Sequence, residues 1–541
     1  ADRPQTAEQL IPVLDAATTP SGTAVAPSVP LGVATVRGPA LKLVASAVAL
    51  IALAAAAYAG MRYRSSAGGA ASREPALSVA VLPFTNLSRD SANEYFSDGI
   101  SEEILNAVGQ LPGVRVPARS SAFAFKGQNL PASEVARRLK VAHVLEGRVQ
   151  REGNRVRITA ELVDASTGFQ RWSGKYDRDA TDVFAVEDEI SHAIAAALQV
   201  ELAGGAQAGP PAGETGDPEA HDLYLVGLHY LNRRSTDREL DSAAAYFSRA
   251  VARDPRYARG YAGRALALLL LPEYAGTFDS SVISLGRSAA LKALALDSTL
   301  ATAHLALGYT YKSYDWDWRG AEREYRTAIA LDPNLATAHQ WLGELLIDQQ
   351  RLREARSEID TALTLDPAAP LPRLVEGQYY ETVGRLDSAA AAYRRAVEMN
   401  QAFMPAYRMA GMLSVQLGRY DDARTQFRRA SEIAGDSVGP LLALVDGLER
   451  HAARPAAIRA VEAELASGQV PLVIVARQFA LLDQRDQTIA LLQRAVDQRA
   501  PFTTYLSRST ELRRLYGDPR YQAILKRIGL PLPPAGTRPG A

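Results

Sequence analysis

The chain has 541 residues, enough for three or four domains, and 60 basic residues balance 60 acidic ones. This balance gives no overall reason to expect nucleic acid or an anionic surface as a partner. Cysteine is absent, which excludes disulfides and thiolate metal sites, and the seven histidines form no metal-ligand spacing.

Residues 1–18 contain one short amphipathic stretch, for which Thr6 is a candidate N-cap. The string RPxxAxxL at residues 3–10 resembles the last helix of bacterial serine/threonine protein kinase domains. This resemblance implies that a kinase domain precedes the segment. No kinase or nucleotide-binding motif occurs in the chain itself. We therefore expect no catalytic residues, cofactor or metal.

Residues 43–61 (LVASAVALIALAAAAYAGM) carry no charge. As a helix they reach about 29 Å, close to the thickness of a bilayer's hydrocarbon core. The span predicts one transmembrane helix between two linkers, 19–42 and 62–75. Basic residues flank both ends, so charge gives no orientation. A cytoplasmic kinase-like stub would place the repeats outside the bacterial inner membrane; the alternative is a buried helix of a soluble cytoplasmic adaptor.

Residues 76–202 follow an α/β pattern. The apolar run LSVAVLPF at residues 77–84 predicts a buried strand, and residues 141–151 and 155–165 predict a hairpin. Asp98, Glu102 and Glu103 cluster at a helix start, where the macrodipole favours acidic residues, so we assign them no catalytic role.

Five strings occur in this stretch in one order: VAVLPFTNLSRD, EYFSDGISEEI, ARSSAFAFKG, VLEGRVQREGNRVRITAELVDASTG and WSGKYDR. Together they resemble the TolB amino-terminal-like domain of bacterial signalling proteins. The resemblance implies a docking module that binds a partner. A flexible linker, 203–218, follows this stretch.

A repeat of 34 residues follows the linker. Gly343, Gly377 and Gly411 keep this interval, as do alanines twelve residues after each of them. Small residues at these phases allow two helices to approach closely, and bulky residues fill the space between neighbouring pairs. The period therefore predicts stacked helical hairpins, an architecture that binds partners.

The repeat resembles the tetratricopeptide family, whose eight signature positions are all met between His339 and Pro367. We expect about six repeats over 219–434, degenerate repeats and capping helices over 435–530, and a tail over 531–541. First helices should line the concave face. The predicted groove residues are Arg259, Arg264, Tyr309, Lys312, Gln340, Glu344, Asp348, Arg373, Gln378 and Arg408.

The predicted fold class is multidomain: one transmembrane helix, an α/β module and an all-α tetratricopeptide solenoid. The predicted function is a membrane-anchored signalling scaffold that binds protein or peptide partners, with self-association as a further mode and without nucleic acid. Two alternatives stay open at this point. The chain is the non-catalytic part of a receptor-type serine/threonine kinase, or it is a soluble repeat adaptor.

Overall fold

The computed structural model describes residues 77–88, 90, 93–179, 183–198, 213–233, 237–275 and 279–532. These belong to one unit, Glu74–Ala541. In it, an α/β part packs against an array of helix pairs. The stub (1–18), the two linkers around the predicted membrane helix (19–42 and 62–75) and that helix (43–61) lie outside the described residues. Most of the 203–218 linker and of the 531–541 tail does so too.

The α/β part is built on a sheet with the strand order β1-β3-β4-β5, and β2 pairs with β3 beside this path. The strands are β1 (Val79–Val81), β2 (Thr85–Asn86), β3 (His143–Glu152), β4 (Arg155–Asp164) and β5 (Gln170–Asp179). β1 and β2 run parallel to β3, whereas β3, β4 and β5 are antiparallel neighbours. All of β1 is buried, which explains its uninterrupted apolar sequence.

Helices cover both faces of this sheet. They are α1 (Glu94–Gly109), α2 (Arg119–Phe123), α3 (Ala132–Leu139) and α4 (Val183–Ala197). Val79 and Val81 share a core with Ile100 and Ile104 of α1, while Ala80 packs in a separate core with Leu139 of α3. This split follows from the strand geometry, because successive side chains point to opposite faces.

Within the described residues, sixteen helices follow as eight pairs. They are α5 (Pro218–Arg233), α6 (Asp237–Arg253), α7 (Ala258–Ala275), α8 (Ser280–Leu296), α9 (Ala301–Thr310), α10 (Trp318–Leu331), α11 (Ala336–Asp348), α12 (Leu352–Leu365), α13 (Pro370–Thr382), α14 (Leu386–Met399), α15 (Met404–Gln416), α16 (Tyr420–Ala434), α17 (Gly439–Glu449), α18 (Arg454–Ser467), α19 (Leu472–Leu481) and α20 (Arg485–Asp497). A π-helical turn, Tyr311–Asp315, extends α9.

In several pairs a glycine of the first helix meets a bulky residue of the second. A Cβ added to Gly411 would lie 2.5 Å from the Phe427 ring, and one added to Gly308 would lie 2.6 Å from the Tyr325 ring. These rings are almost fully buried. At Gly308, Gly377 and Gly411 two helices therefore touch through a ring.

The prediction of a fold with one membrane-spanning helix, located in the inner membrane, is wrong. None of the helices in the described ranges is long and apolar enough to cross a membrane. The longest, α7, has 18 residues and carries Arg259, Arg264 and Glu273. The helices of the array are short because each spans only the width of one repeat.

The α/β part packs on the turns between repeats. The side-chain amide of Asn334, in the turn between α10 and α11, donates to the carbonyl oxygens of Gly109 (2.9 Å) and Val114 (3.1 Å). In the turn between α12 and α13, Asp366 accepts a hydrogen bond from Ser121 Oγ at 2.6 Å. These turns are thus structural contacts as well as helix stops.

After α20 the chain crosses to earlier repeats. Two 3-10 turns, Thr503–Ser507 and Thr510–Leu515, precede the last helix, α21 (Pro519–Arg527). We call residues 503–515 the crossing segment. Leu506 and Leu512 of this segment are 0% exposed. Beyond α21, the carbonyl oxygen of Ile528 accepts a hydrogen bond from Trp318 Nε1 at 2.7 Å. The end of the described chain is therefore packed against α10.

Candidate functional site

A cavity of about 2060 Å³ opens between the array, α1 and the crossing segment. First helices of successive pairs supply much of its wall. Examples are Arg259 of α7, Gln340 of α11 and Gln378 of α13. Glu102 and Asn106 of α1 contribute one side, and Tyr505 and Arg508 of the crossing segment contribute another. We call this cavity the interior groove.

The predicted groove residues separate into two sets. Seven of them line the interior groove: Arg259, Tyr309, Lys312, Gln340, Glu344, Gln378 and Arg408. The other three, Arg264, Asp348 and Arg373, are not among its lining residues. Whether these seven contact a ligand stays a prediction.

A buried charge cluster lies in the wall of the interior groove. Lys312 Nζ is 3.3 Å from Glu344 Oε2 and 3.6 Å from Asp348 Oδ2. Arg508 Nε, from the crossing segment, is 3.2 Å from Asp348 Oδ1. Gln340 Nε2 donates to Glu344 Oε1 at 3.0 Å. Two cations and two carboxylates therefore balance each other at the place where the sequence predicted contacts to a ligand.

The carboxyl groups of this cluster respond differently to their surroundings. Burial raises the pKa of Asp348 to about 6, against the lowering effect of Arg508 and Lys312. Burial also acts to raise the pKa of Glu344, but Lys312 and Arg508 outweigh it, and this pKa is lowered. Because an unpaired buried charge is costly, Asp348 depends on its two cations.

Arg508 still has free hydrogen-bonding capacity. Its side chain is only 5% exposed, its guanidinium carbon lies 3.9 Å from the centre of the Tyr505 ring, and its Nε pairs with Asp348. Nη1 and Nη2 have no hydrogen-bond partner among the described residues, although Nη2 lies 4.0 Å from a Glu344 carboxylate oxygen. Arg508 lines the interior groove, so these two unsatisfied donors are its candidate contacts to an acceptor of a ligand.

At the α1 end of the interior groove, Arg259 is enclosed by carboxylates. It pairs with Glu103 of α1 and, at 3.0 Å, with Glu214. Burial raises the pKa of Glu103 to about 7, against the effect of Arg259. Arg259 thus joins the array to the α/β part. Its guanidinium is already paired within the protein, so its role is structural and it is less suited to contact a ligand.

The crossing segment is the part of the wall that the sequence reading missed. Arg477 Nη2 of α19 pairs with Glu511 Oε1 at 2.7 Å, and Gln416 Nε2 of α15 donates to Thr510 Oγ1 at 2.5 Å. Arg513 Nη2 donates to the carbonyl oxygen of Glu381 at 2.8 Å. The sequence feature that could have indicated this wall is the arginine-rich stretch 508–514, which has no helical period.

A family model of the tetratricopeptide repeat matches residues 316–370 and 374–437. The chain therefore carries tetratricopeptide repeats, and this prediction is confirmed. Among curated proteins, "Putative adenylate cyclase 3" of Rhizobium meliloti (strain 1021) is 44% identical over 148 residues, which are 27% of this chain and 25% of that protein. The chain spans about a quarter of the length of this relative.

Solved structures with similar repeats share little sequence with the chain. A tetratricopeptide protein of Thermus thermophilus is 17% identical, with a TM-score of 0.31, over 36% of this chain and 98% of its own. YrrB, titled a repeat protein with an unusual peptide-binding site, is 21% identical, with a TM-score of 0.26, over 38% and 96%. Both similarities concern the helical repeat fold alone.

Proposed function

We propose that the protein is a scaffold that binds an extended segment of a partner protein in the interior groove. The α/β part, which resembles the TolB amino-terminal-like domain, supplies a fixed wall through α1. The observation that carries this proposal is the crossing segment. It is a stretch of polypeptide without α-helix, and side chains or carbonyls of α11, α13, α15 and α19 hold it.

The crossing segment itself is part of the wall, not a displaceable ligand. Leu506 and Leu512 are fully buried. Exposing one such side chain costs about 1.5–3 kcal/mol, so a partner would have to supply several kcal/mol to displace both. A partner segment therefore binds beside the crossing segment, in the open volume of the interior groove.

The free donors of Arg508 support binding of a peptide main chain. Arg508 lines the interior groove, and no described residue accepts a hydrogen bond from its Nη1 or Nη2. A bound extended segment presents a carbonyl oxygen at every residue, and each oxygen accepts hydrogen bonds. Satisfying these two buried donors contributes to affinity for any sequence, while the neighbouring side chains select among sequences.

The test is peptide selection on the intact chain. Random twelve-residue peptides are displayed on phage and selected, and fluorescence anisotropy measures the binding of the recovered peptides. Gln378→Trp fills the interior groove with an indole, whereas Arg395→Trp places the same indole on the exposed side of α14. We expect Gln378→Trp to weaken binding about tenfold or more and Arg395→Trp to leave it unchanged. Peptides that bind both variants like the parent chain would refute the proposal.

A further inference from the structure

The wall of the interior groove is acidic although the chain as a whole is neutral. Among the described residues that line it, eleven are Asp or Glu and seven are Arg or Lys. The whole chain has 60 of each class. The excess of carboxylates is therefore a local property of this surface, and it favours a cationic ligand.

The crossing segment shows how this wall holds a basic stretch. Its sequence from Thr503 to Leu515, TTYLSRSTELRRL, has three arginines and one glutamate. Arg508 of this stretch lies against Asp348 and Glu344, and its guanidinium packs on the ring of Tyr505. An arginine side chain against two carboxylates of a first helix, α11, is thus a contact that this fold already makes.

Two carboxylates on the wall have an oxygen that no described group of the chain uses. Glu214 Oε1 pairs with Arg259, but Glu214 Oε2 is buried and has no hydrogen-bond partner in the described part of the chain. Glu464 Oε2, at the other end of the interior groove, is in the same state. Both residues line the cavity, and because an unsatisfied buried carboxylate oxygen is costly, a ligand donor that reached either oxygen would add to affinity.

Glu464 has the surroundings of a cation subsite. Burial raises the pKa of Glu464, and the nearby negative charge of Asp436 raises it further. The hydrogen bond with Gln478 and the positive charge of Arg408 lower it, but by less. Arg408 is itself paired with Asp436. One arginine therefore lies near two carboxylates here and is paired with only one of them, so Glu464 can accept a cation from a ligand.

From the excess of carboxylates, the unpaired oxygens and the internal arginine, we propose that the partner segment bound in the interior groove is basic. It carries lysine or arginine side chains, one of which pairs with Glu464. This inference rests on the proposed function and names the chemistry of its ligand. Other occupants, including a second copy of this chain, are outcomes of the test below.

The experiment uses three fluorescent twelve-residue peptides that alternate alanine with lysine, glutamine or glutamate. Each is titrated with the intact chain, and fluorescence anisotropy is read at low and at high salt. We expect the lysine peptide to bind about tenfold or more tightly than the glutamine peptide, the glutamate peptide not to bind, and added salt to reduce the difference. Gln378→Trp should weaken this binding about tenfold or more.

A matched pair of variants locates the subsite. Glu464→Gln removes one groove carboxylate, and Glu398→Gln removes an exposed one on α14. We expect Glu464→Gln to weaken the lysine peptide about threefold or more and Glu398→Gln to change nothing. Hydrogen exchange of α18 shows whether the Glu464→Gln variant stays folded. If α18 opens in that variant, Glu464→Asp replaces it as the test: it keeps the charge, and we expect it to bind the lysine peptide with the parent affinity.

The outcomes separate this inference from the proposed function. Tight binding of the glutamine or glutamate peptide that Gln378→Trp abolishes would overturn the basic ligand and keep peptide binding. Lysine-peptide binding that survives Gln378→Trp would also overturn it, since the contact would lie elsewhere. Concentration-dependent dimers in sedimentation that block the peptide would make a second copy the occupant. Failure of every peptide, selected ones included, would end both proposals.

Discussion

Replacing Gly377 by alanine tests the packing rule of the repeat at its tightest point. A Cβ at this position would overlap the ring of Tyr393, with Cδ1 at 2.6 Å and Cζ at 2.8 Å. The ring is fully buried, and the Tyr393 hydroxyl donates to Glu381 Oε2 at 2.5 Å. The ring therefore cannot tilt away without disturbing a buried hydrogen bond.

Two effects of opposite sign decide the outcome. Alanine is favoured over glycine inside a helix by about 1 kcal/mol. Forcing an extra methyl group into a packed core costs about 1–3 kcal/mol, and weakening the buried hydrogen bond adds about 1 kcal/mol. We therefore expect Gly377→Ala to reduce the local free energy of opening of α13 and α14 by about 1–3 kcal/mol.

Two other glycines serve as controls. At Gly343 the nearest atom to an added Cβ is Ile359 Cγ1, at 3.0 Å, and the aliphatic chain can yield by a few tenths of an ångström. At Gly109, the last residue of α1, nothing lies within 4 Å. We expect Gly343→Ala to change stability by less than about 0.5 kcal/mol, and Gly109→Ala to stabilise α1 by up to about 1 kcal/mol.

Hydrogen exchange on the intact chain is the appropriate assay, because a long array does not unfold in one step. Protection of amides in residues 370–399 reports on the pair that contains Gly377. Equal or greater protection of these amides in the Gly377→Ala variant would refute the reasoning. Equal losses in all three variants would show that the added methyl group acts through something other than the Tyr393 ring.

Three further predictions follow from buried polar contacts. Asn334→Ala removes the donors to the carbonyls of Gly109 and Val114, so we expect the local free energy of opening to fall by about 2–3 kcal/mol. Hydrogen exchange in α1 should become faster, and unchanged exchange there would contradict the prediction. Asp348→Asn leaves two buried cations short of a carboxylate, so exchange in α11 should show about 3–5 kcal/mol of destabilisation. Burial raises the pKa of Glu381 to about 7, from 4.5 when exposed, against the hydrogen bond from Tyr393. The folded state thus holds this proton more tightly than the unfolded state, so the protonated carboxyl contributes fully to stability below pH 4.5, and about 3 kcal/mol of stability is lost as pH rises through about 7. Glu381→Gln should remove this pH dependence. Parallel pH profiles of the free energy of opening for parent and variant would refute the prediction.

The repeat could be predicted because its information is local. A glycine and a bulky residue 16 positions apart, such as Gly411 and Phe427, meet within one pair of helices. The same holds for the helix stops at Asp-Pro pairs, where proline cannot continue a helix. Such contacts lie within one repeat, so a period in the sequence is enough to reveal them.

The predicted groove residues show where this reasoning fails. Lys312, Glu344 and Asp348 were chosen because they are polar and lie on first helices. In the structure, Arg508 pairs with Asp348 from 160 positions along the chain. No periodicity connects these two residues, so the sequence pattern does not reveal that Arg508 pairs with Asp348.

The sequence by itself determined the tetratricopeptide repeats, because short-range packing of small against large residues dictates helical pairs. It also led to a membrane helix and an inner-membrane location that the described helices do not support. The tertiary structure decided which polar residues face the interior groove, that α1 and the crossing segment form two of its walls, and that carboxylates prevail there. Contacts between distant segments decide these features, since a side chain's charge matters only with the partners that folding brings beside it.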